Sequence, residues 1–231
     1  LEISFLQAAR FSADAAHELK TPLTILQGQL NQALRSAPAG SEEQRTYADL
    51  LEEVQRLKSI VRKLLLLAQS DAGRLRLALE KVNLTQECAA LCEDVPLLAP
   101  GLTLHADLAP QTCVMADPDL IRQVVQNLFS NATKYSREGG AIECRLRQEG
   151  DTVVFTLANT TECGAGLDRD RLFDRFFRGD PSHNRNVDGS GLGLSLAREI
   201  SRAHGGELVL DNGETRDGWI SFRLTLPAKI G

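Results

Sequence analysis

The chain has 231 residues, 42% of them hydrophobic and 25% charged, with a formal net charge of −5. This composition fits a folded protein of one or two domains, and the negative charge argues against a nucleic-acid or anionic-membrane partner. The sequence has no stretch of about 18 apolar residues to span a bilayer and no signal peptide, and it starts at Leu1 rather than Met. We interpret it as a piece of a longer protein.

Residues 1 to about 35 predict one long helix with a polar face centred on His17. The neighbouring Glu18 can orient or deprotonate the imidazole, and Pro22 is expected to loosen or bend the helix just beyond it. An ordinary exposed histidine fits the same pattern. The apolar side chains lie about 180° away: Phe5, Ala8, Ala15, Leu19, Leu23, Leu26, Leu30 and Ala33.

A second helix is predicted after the loop at residues 38–41, from the N-cap Ser41 to Gly73. Its apolar side chains recur every three or four residues. Two helices joined by a short loop form an antiparallel hairpin that leaves part of its apolar surface uncovered. Two hairpins paired into a four-helix bundle would cover it, so a homodimer is expected.

An alternating segment, RLRLALEKVNL at residues 74–84, predicts a strand and places the domain boundary near residue 75. Asp117 and Pro118 predict the start of a later helix. The resulting expectation is an α+β fold, with a helical hairpin in residues 1–75 and a mixed or antiparallel sheet covered by helices in residues 76–231. The other predicted elements are helices at 84–93 and 191–204 and strands at 102–107, 112–115, 141–147, 152–158, 207–211 and 218–226.

Asn127 and Asn131 lie four residues apart on one predicted helix face, with Lys134 on the same side. Amide oxygens and a cation suit a hydrated magnesium ion and the phosphates that it bridges. The same spacing is also common for capping or surface asparagines.

A glycine-rich stretch, DGSGLGLSLAREI at residues 188–200, frees the backbone to approach a phosphate, and the helix that starts near Leu192 points its amides there. Because no strand runs into it, a Rossmann unit is not expected. Residues 178–188 predict a mobile lid. We interpret three nearby aromatic residues either as core residues or as the wall and hinge of a pocket: Phe173, Phe176 and Phe177.

The five cysteines argue against a secreted disulfide scaffold. Cys88 and Cys92 lie one helical turn apart, but no further pair of matching spacing completes a metal site. Small buried thiols in a reducing cytosol are the preferred interpretation.

Taken in chain order, these motifs resemble the cytoplasmic part of bacterial sensor histidine kinases. The matches are an H-box at 11–24, an N-box at 127–135, an F-box at 173–178 and a glycine box at 189–193, followed by the sequence AHGG at 203–206. The resemblance implies a dimerising phosphotransfer domain followed by an ATP-binding domain of the histidine kinase, gyrase and Hsp90 type.

The resemblance also implies roles for individual residues. His17 would accept phosphate, Glu18 would act as acid or base, and Thr21 would position water when the partner is dephosphorylated. Asn131, helped by Asn127, would hold Mg²⁺. The residues implied to line ATP are Lys134, Tyr135, Phe173, Arg178, Gly189, Gly191, Leu192 and Gly193, and Arg175 or Arg178 would steady the phosphates.

The first glycine box departs from the family's DxGxG pattern. Counting back from the F-box by the family's usual spacing puts Asn159 in the position of the adenine-binding aspartate. The glycines of the motif are then displaced to Gly164 and Gly166. Counting from Gly166 instead selects Glu162. Asn159 is preferred because a predicted strand leads into it, and its neutral amide predicts weakened ATP affinity.

The implied function is ATP-dependent autophosphorylation of His17 and transfer of the phosphoryl group to an aspartate of a response regulator, together with phosphatase activity towards that regulator. The full-length protein would lie in the bacterial inner membrane, held by segments absent here, with this part cytoplasmic.

One alternative function is that of a gyrase-like or Hsp90-like ATPase, although Asn127 stands where those enzymes carry a water-activating glutamate. The other is a signalling scaffold or phosphatase that binds ATP poorly.

Overall fold

The computed structural model describes residues 2–162, 168–177, 189–211 and 217–228, with side chains from residue 18 onward. The chain divides into two compact units, residues 1–75 and residues 76–231. Within the described ranges, no helix is both long enough and apolar enough to cross a membrane.

The first unit is a hairpin of helices α1 (Glu2–Ser36) and α2 (Glu42–Asp71), and α1 remains helical through Pro22. The predicted N-cap is confirmed, because Ser41 Oγ accepts a hydrogen bond from the Gln44 amide at 3.1 Å. Gln44 Oε1 in turn accepts from the Gly40 amide at 2.7 Å, one residue earlier than in the usual capping box. These two bonds fix where the chain turns into α2.

Among the hairpin side chains from residue 18 onward, only a narrow line is buried, at Leu23, Val54, Leu67 and Ala68. Of the predicted apolar stripe on α1, Leu19 remains 49% exposed and Leu26 45% exposed. Two helices shield each other along one contact line, so a wide apolar stripe cannot be covered by a single hairpin.

In its described residues the second unit combines three α-helices with two sheets, which confirms the predicted α+β class. The larger sheet has the order β2-β4-β5-β7-β6, in which β2 and β4 pair in parallel and the other neighbours are antiparallel. The smaller sheet pairs β1 with β3. The elements are β1 (Glu80–Asn83), α3 (Leu84–Leu98), β2 (Thr103–Leu108), β3 (Cys113–Ala116), α4 (Pro118–Tyr135), β4 (Ala141–Glu149), β5 (Thr152–Thr160), α5 (Gly193–Ala203), β6 (Glu207–Leu210) and β7 (Trp219–Pro227).

Two predicted boundaries are wrong. The alternating segment forms a strand only over Glu80–Asn83, because its partner β3 has just four residues and the pairing stops at Glu80 opposite Ala116. The predicted helix 84–93 continues to Leu98 through Pro96. Pro96 has no amide to donate to the Cys92 carbonyl, and the helix ends two residues after it.

The core of the second unit lies between the larger sheet and helices α3, α4 and α5, which pack against it. Alternate residues of β5, Val153, Phe155 and Leu157, are buried on this face. Phe129 of α4 stacks on Phe155 with ring centroids 6.3 Å apart. The buried face of α4 contains all six apolar residues that its sequence period indicates: Leu120, Ile121, Val124, Val125, Leu128 and Phe129.

Asp117 and His204 join the start of α4 to the end of α5. The Asp117 carboxylate caps α4 by accepting from the Leu120 amide at 3.1 Å and also accepts from the Ala78 amide at 3.0 Å. The Asp117 amide donates to His204 Nε2 at 3.0 Å, so Nδ1 of the buried ring carries the hydrogen and donates to the Ile200 carbonyl at 2.8 Å. His204 is therefore a satisfied core histidine.

Replacement of His204 by alanine should destabilise the chain by about 2–4 kcal/mol, because it leaves a cavity in the core and a partly buried Asp117 amide without its acceptor. The change is measured by thermal unfolding followed by circular dichroism. His105, exposed on the edge strand β2, is the matched control. His105→Ala should change stability by less than about 0.5 kcal/mol, and equal losses in the two variants would contradict the assignment.

Candidate functional site

The candidate phosphate acceptor lies on α1, which extends from Glu2 to Ser36. The side chain of His17 is outside the described residues, whereas Glu18 and Thr21, one and four residues further along the helix, are exposed. The two flanking polar groups are therefore accessible in the hairpin.

In the second unit, the last turns of α4 lie beside the end of β5. Phe129 of α4 stacks on Phe155 of β5. Further along the chain, just after α4 ends, the Arg137 amide donates to the carbonyl of Thr160, the last residue of β5, at 3.1 Å. These two contacts show that α4 and β5 run in the same direction. The second half of α4, which carries Asn131, Lys134 and Tyr135, thus lies along the part of β5 that ends at Thr160.

The N-box and the glycine box meet at Asn127. Its Nδ2 donates to the Gly193 carbonyl at 3.2 Å, and Gly193 is the first residue of α5. Asn131 lies one turn later on α4 and, like Asn127, is half-buried. The structure therefore places Asn127 next to the N-terminus of α5, where backbone amides are available to an anion, and Asn131 follows it by one turn of α4. Lys134 is exposed and Tyr135 is half-buried.

Asn159 and Glu162 have different environments. Asn159 continues the buried alternation of β5 on the side that faces the helices, and only 2% of its surface is exposed. Its Nδ2 donates to the Thr160 carbonyl at 3.2 Å, the one hydrogen bond recorded for this side chain within the described residues. Its Oδ1 therefore keeps its capacity to accept. Glu162 follows the strand and is exposed.

The F-box packs on β7 and α5 through Phe173. The Phe173 ring meets Phe222 edge-on at 6.3 Å between centroids, and the Arg198 guanidinium lies 4.9 Å above the same ring. Arg198 is held in turn by Glu207 at 2.9 Å. Phe176 is 60% exposed, so it is not a core residue. Sequence reasoning missed Arg198 and Phe222, since no local pattern shows which residues meet the F-box.

Gly191 connects the glycine box to the F-box by a backbone hydrogen bond and a close backbone contact. Its carbonyl accepts from the Phe176 amide at 3.0 Å, and both residues have left-handed backbones, with φ of 67° at Gly191 and 61° at Phe176. A Cβ at residue 191 would lie 2.7 Å from the Phe176 carbonyl carbon and 2.9 Å from the Phe177 oxygen. Leu192, which follows, is fully buried. Only glycine fits this position.

Replacement of Gly191 by alanine should destabilise the chain by about 2–3 kcal/mol, because left-handed strain adds to a clash with backbone. Gly189 offers a matched control in the same motif, since a Cβ there meets nothing within 4 Å. Gly189→Ala should change stability by less than about 0.5 kcal/mol. Denaturant unfolding of both variants measures the difference, and a Gly191→Ala variant as stable as Gly189→Ala would contradict the contact.

Other predicted site residues lie outside the described ranges. They are Gly164 and Gly166 of the first glycine box, Arg178 of the F-box, and the remainder of the expected lid at residues 178–188. Gly189 is described and half-buried.

Two family models match the chain. A "His Kinase A (phospho-acceptor) domain" matches residues 7–73, and a "Histidine kinase-, DNA gyrase B-, and HSP90-like ATPase" matches residues 116–230. The first match contains His17, and the second contains the whole N-box, F-box and glycine box.

Similar proteins include the probable sensor protein PcoS of Escherichia coli, 38% identical over 98% of this chain and 48% of PcoS. The sensor histidine kinase CusS of E. coli K12 is 34% identical over 99% of this chain and 47% of CusS. The chain thus spans about half the length of these curated relatives. Among solved structures, full-length ShkA in complex with AMPPNP superposes with a TM-score of 0.77 at 26% identity, covering 94% of this chain and 45% of ShkA.

Proposed function

The chain belongs to the sensor histidine kinases of bacterial two-component systems, and on that premise we propose that it transfers the γ-phosphoryl group of ATP to His17 and then to an aspartate of a response regulator. The observation that carries the proposal in the second unit is the contact of Asn127 with Gly193. It joins the N-box to the glycine box, so that residues separated in sequence form one phosphate-handling surface.

The amide oxygens on α4 fit a magnesium ion. Magnesium prefers oxygen ligands and keeps several waters, which suits two half-buried asparagines one turn apart. Because Asn127 Nδ2 donates to the Gly193 carbonyl, its Oδ1 is the atom left to act as a ligand. When bound, the ion would neutralise charge on the phosphates. Lys134, Tyr135 and Arg175 would contribute further contacts to phosphates or nucleoside.

The adenine end of the site is assigned to Asn159. This residue is buried near the end of β5, on the side of the sheet that faces the helices. Its side-chain amide therefore lies at the edge of the core. Its Oδ1 would accept a hydrogen bond from the adenine amino group. Phe173, Gly189, Gly191 and Leu192 would complete the nucleotide surface, together with Gly164, Gly166 and Arg178.

Replacement of Asn159 by alanine should weaken magnesium-dependent ATP binding about tenfold, since one hydrogen bond to adenine is lost. Glu162→Ala, the matched control, should leave the affinity unchanged because the proposal places the adenine contact at the buried Asn159 and not at this exposed side chain beyond the strand. Calorimetric titration with ATP and Mg²⁺ measures both. An effect at Glu162 instead of Asn159 would transfer the adenine role to Glu162, and no binding by the parent chain would contradict the kinase function.

The proposed chemistry in the first unit uses a neutral imidazole. One ring nitrogen of His17 attacks the γ-phosphorus in line, a P–N bond forms, and the bond to the bridging oxygen of ADP breaks. Glu18 orients the ring and accepts the proton that its other nitrogen releases. The regulator's aspartate then attacks the phosphorus and frees the imidazole. Thr21 would position water for dephosphorylation of the regulator.

We also propose that the hairpin pairs with a second copy of itself. Large apolar side chains remain exposed on both helices, among them Ile25 at 56% and Leu50 at 48%. Packing two hairpins into a four-helix bundle would cover this surface and stabilise it by about 25 cal/mol for each Å² removed from water. The complete protein would be held in the bacterial inner membrane by segments outside this chain.

A further inference from the structure

The ring of Phe173 joins the F-box to the rest of the second unit. Two elements contact it: the Phe222 ring of β7 meets it edge-on at 6.3 Å between centroids, and the Arg198 guanidinium of α5 lies 4.9 Å from its centroid. Phe173 is half-buried, and three residues further on the Phe176 amide donates to the Gly191 carbonyl at 3.0 Å. The position of the F-box therefore depends on side chains that lie outside it.

The guanidinium of Arg198 is itself held by a carboxylate. Its Nε donates to Glu207 Oε1 at 2.9 Å, and Glu207 Oε2 accepts from Arg202 Nε at 3.0 Å. Glu207 is the first residue of β6, the strand that pairs with β7. Partial burial raises the pKa of Glu207, but the hydrogen bonds from the two arginines lower it by more, so the carboxylate stays ionised. Arg198 is thus fixed between an anion of the sheet and the Phe173 ring.

We propose that Arg198 is a positioning residue for ATP binding, which acts through the Phe173 ring to hold the F-box against the nucleotide surface. The negative face of an aromatic ring attracts a cation, and the attraction is stronger where water is partly excluded. Water is partly excluded here, because Phe173 is half-buried and the Arg198 side chain is 32% exposed. The inference rests on the proposed function, in which Phe173 and the glycine box line the nucleotide.

The contact should affect the affinity for ATP more than the rate of phosphoryl transfer. Without Arg198, the F-box is in place in only a fraction of the molecules, and the apparent dissociation constant rises by the inverse of that fraction. Saturating ATP selects the molecules in which the F-box is in place, so the maximal rate is retained. A residue that only stabilised the fold would have the opposite effect, because fewer molecules would be active and the affinity of the folded ones would not change.

The test compares variants of the full chain by calorimetric titration with ATP and Mg²⁺ and by the rate of autophosphorylation at saturating ATP. Arg198→Gln removes the cation and should raise the dissociation constant about three- to fivefold, with a maximal rate within about twofold of the parent. Arg198→Lys keeps a cation and should recover most of the affinity. Arg202→Gln, the matched control, makes the same change in charge one turn later on α5, where the side chain bonds Glu207 and Glu199. It should bind ATP like the parent.

Circular dichroism establishes whether each variant folds. If Arg198→Gln does not, Glu207→Gln decides, because it leaves Arg198 in place with a weaker partner and should raise the dissociation constant about twofold. Parental affinity in the deciding variant, a lower maximal rate at parental affinity, or an equal loss of affinity in Arg202→Gln would each overturn the role of Arg198 alone. A parent chain that binds no ATP would instead contradict the proposed function itself.

Discussion

Replacement of Asn131 by alanine is expected to slow autophosphorylation by at least about a hundredfold. Asn131 is half-buried on α4 and follows by one turn the asparagine that contacts the start of α5. Its amide oxygen is the proposed ligand of Mg²⁺, an ion that neutralises charge on the phosphates. Removal of this ligand should raise the activation free energy of phosphoryl transfer by roughly 3 kcal/mol. The rate of label incorporation from ATP, measured as a function of Mg²⁺ concentration, tests this.

The same helix supplies the control for this variant. Gln126 carries a similar amide, but it is exposed on α4. Gln126→Ala should therefore retain the parental rate, and Asn131→Asp should retain part of it because a carboxylate oxygen also binds magnesium. A hundredfold loss in Gln126→Ala, or none in Asn131→Ala, would remove the N-box from the proposed site.

The second large effect is expected at His17, whose replacement by alanine should abolish covalent labelling altogether. The proposed nucleotide surface lies wholly in residues 76–231, and His17 lies in the separate unit of residues 1–75. His17→Ala should therefore bind ATP and Mg²⁺ with the affinity of the parent. Calorimetric titration of the variant provides this control, and loss of binding would show that His17 belongs to the nucleotide site itself.

Local features of the fold were predictable from the sequence. Ser41 and Asp117 are caps whose hydrogen bonds act within three residues, so short-range patterns are enough to find them. The apolar face of α4 was predictable for the same reason, because a repeat of three to four residues encodes it directly.

The pairing of strands could not be predicted in this way. The structure joins β2 to β4 in parallel and sets β1 and β3 apart as a second sheet, and these choices depend on contacts between distant segments. The start of β1 illustrates the point. The alternation in residues 74–79 is real, but within the described part of the chain no partner strand continues beside it, because the pairing stops at Glu80.

For the candidate site, residue types and motif order indicated the chemistry, whereas the supporting contacts appeared only in the structure. The bond between Asp117 and His204 joins residues 87 apart in sequence, and the position of Arg198 over Phe173 depends on how α5 packs. Burial also distinguishes Asn159 from Glu162, which counting along the sequence left open.

The most direct test of the proposed kinase activity is incubation of the chain with Mg²⁺ and ATP labelled at the γ-phosphate, alongside His17→Ala. The parent should acquire label that survives alkali and is lost in acid, as expected for a phosphorus–nitrogen bond, and peptide mapping should place it on His17. Label that persists in His17→Ala, or that resists acid, would contradict the account.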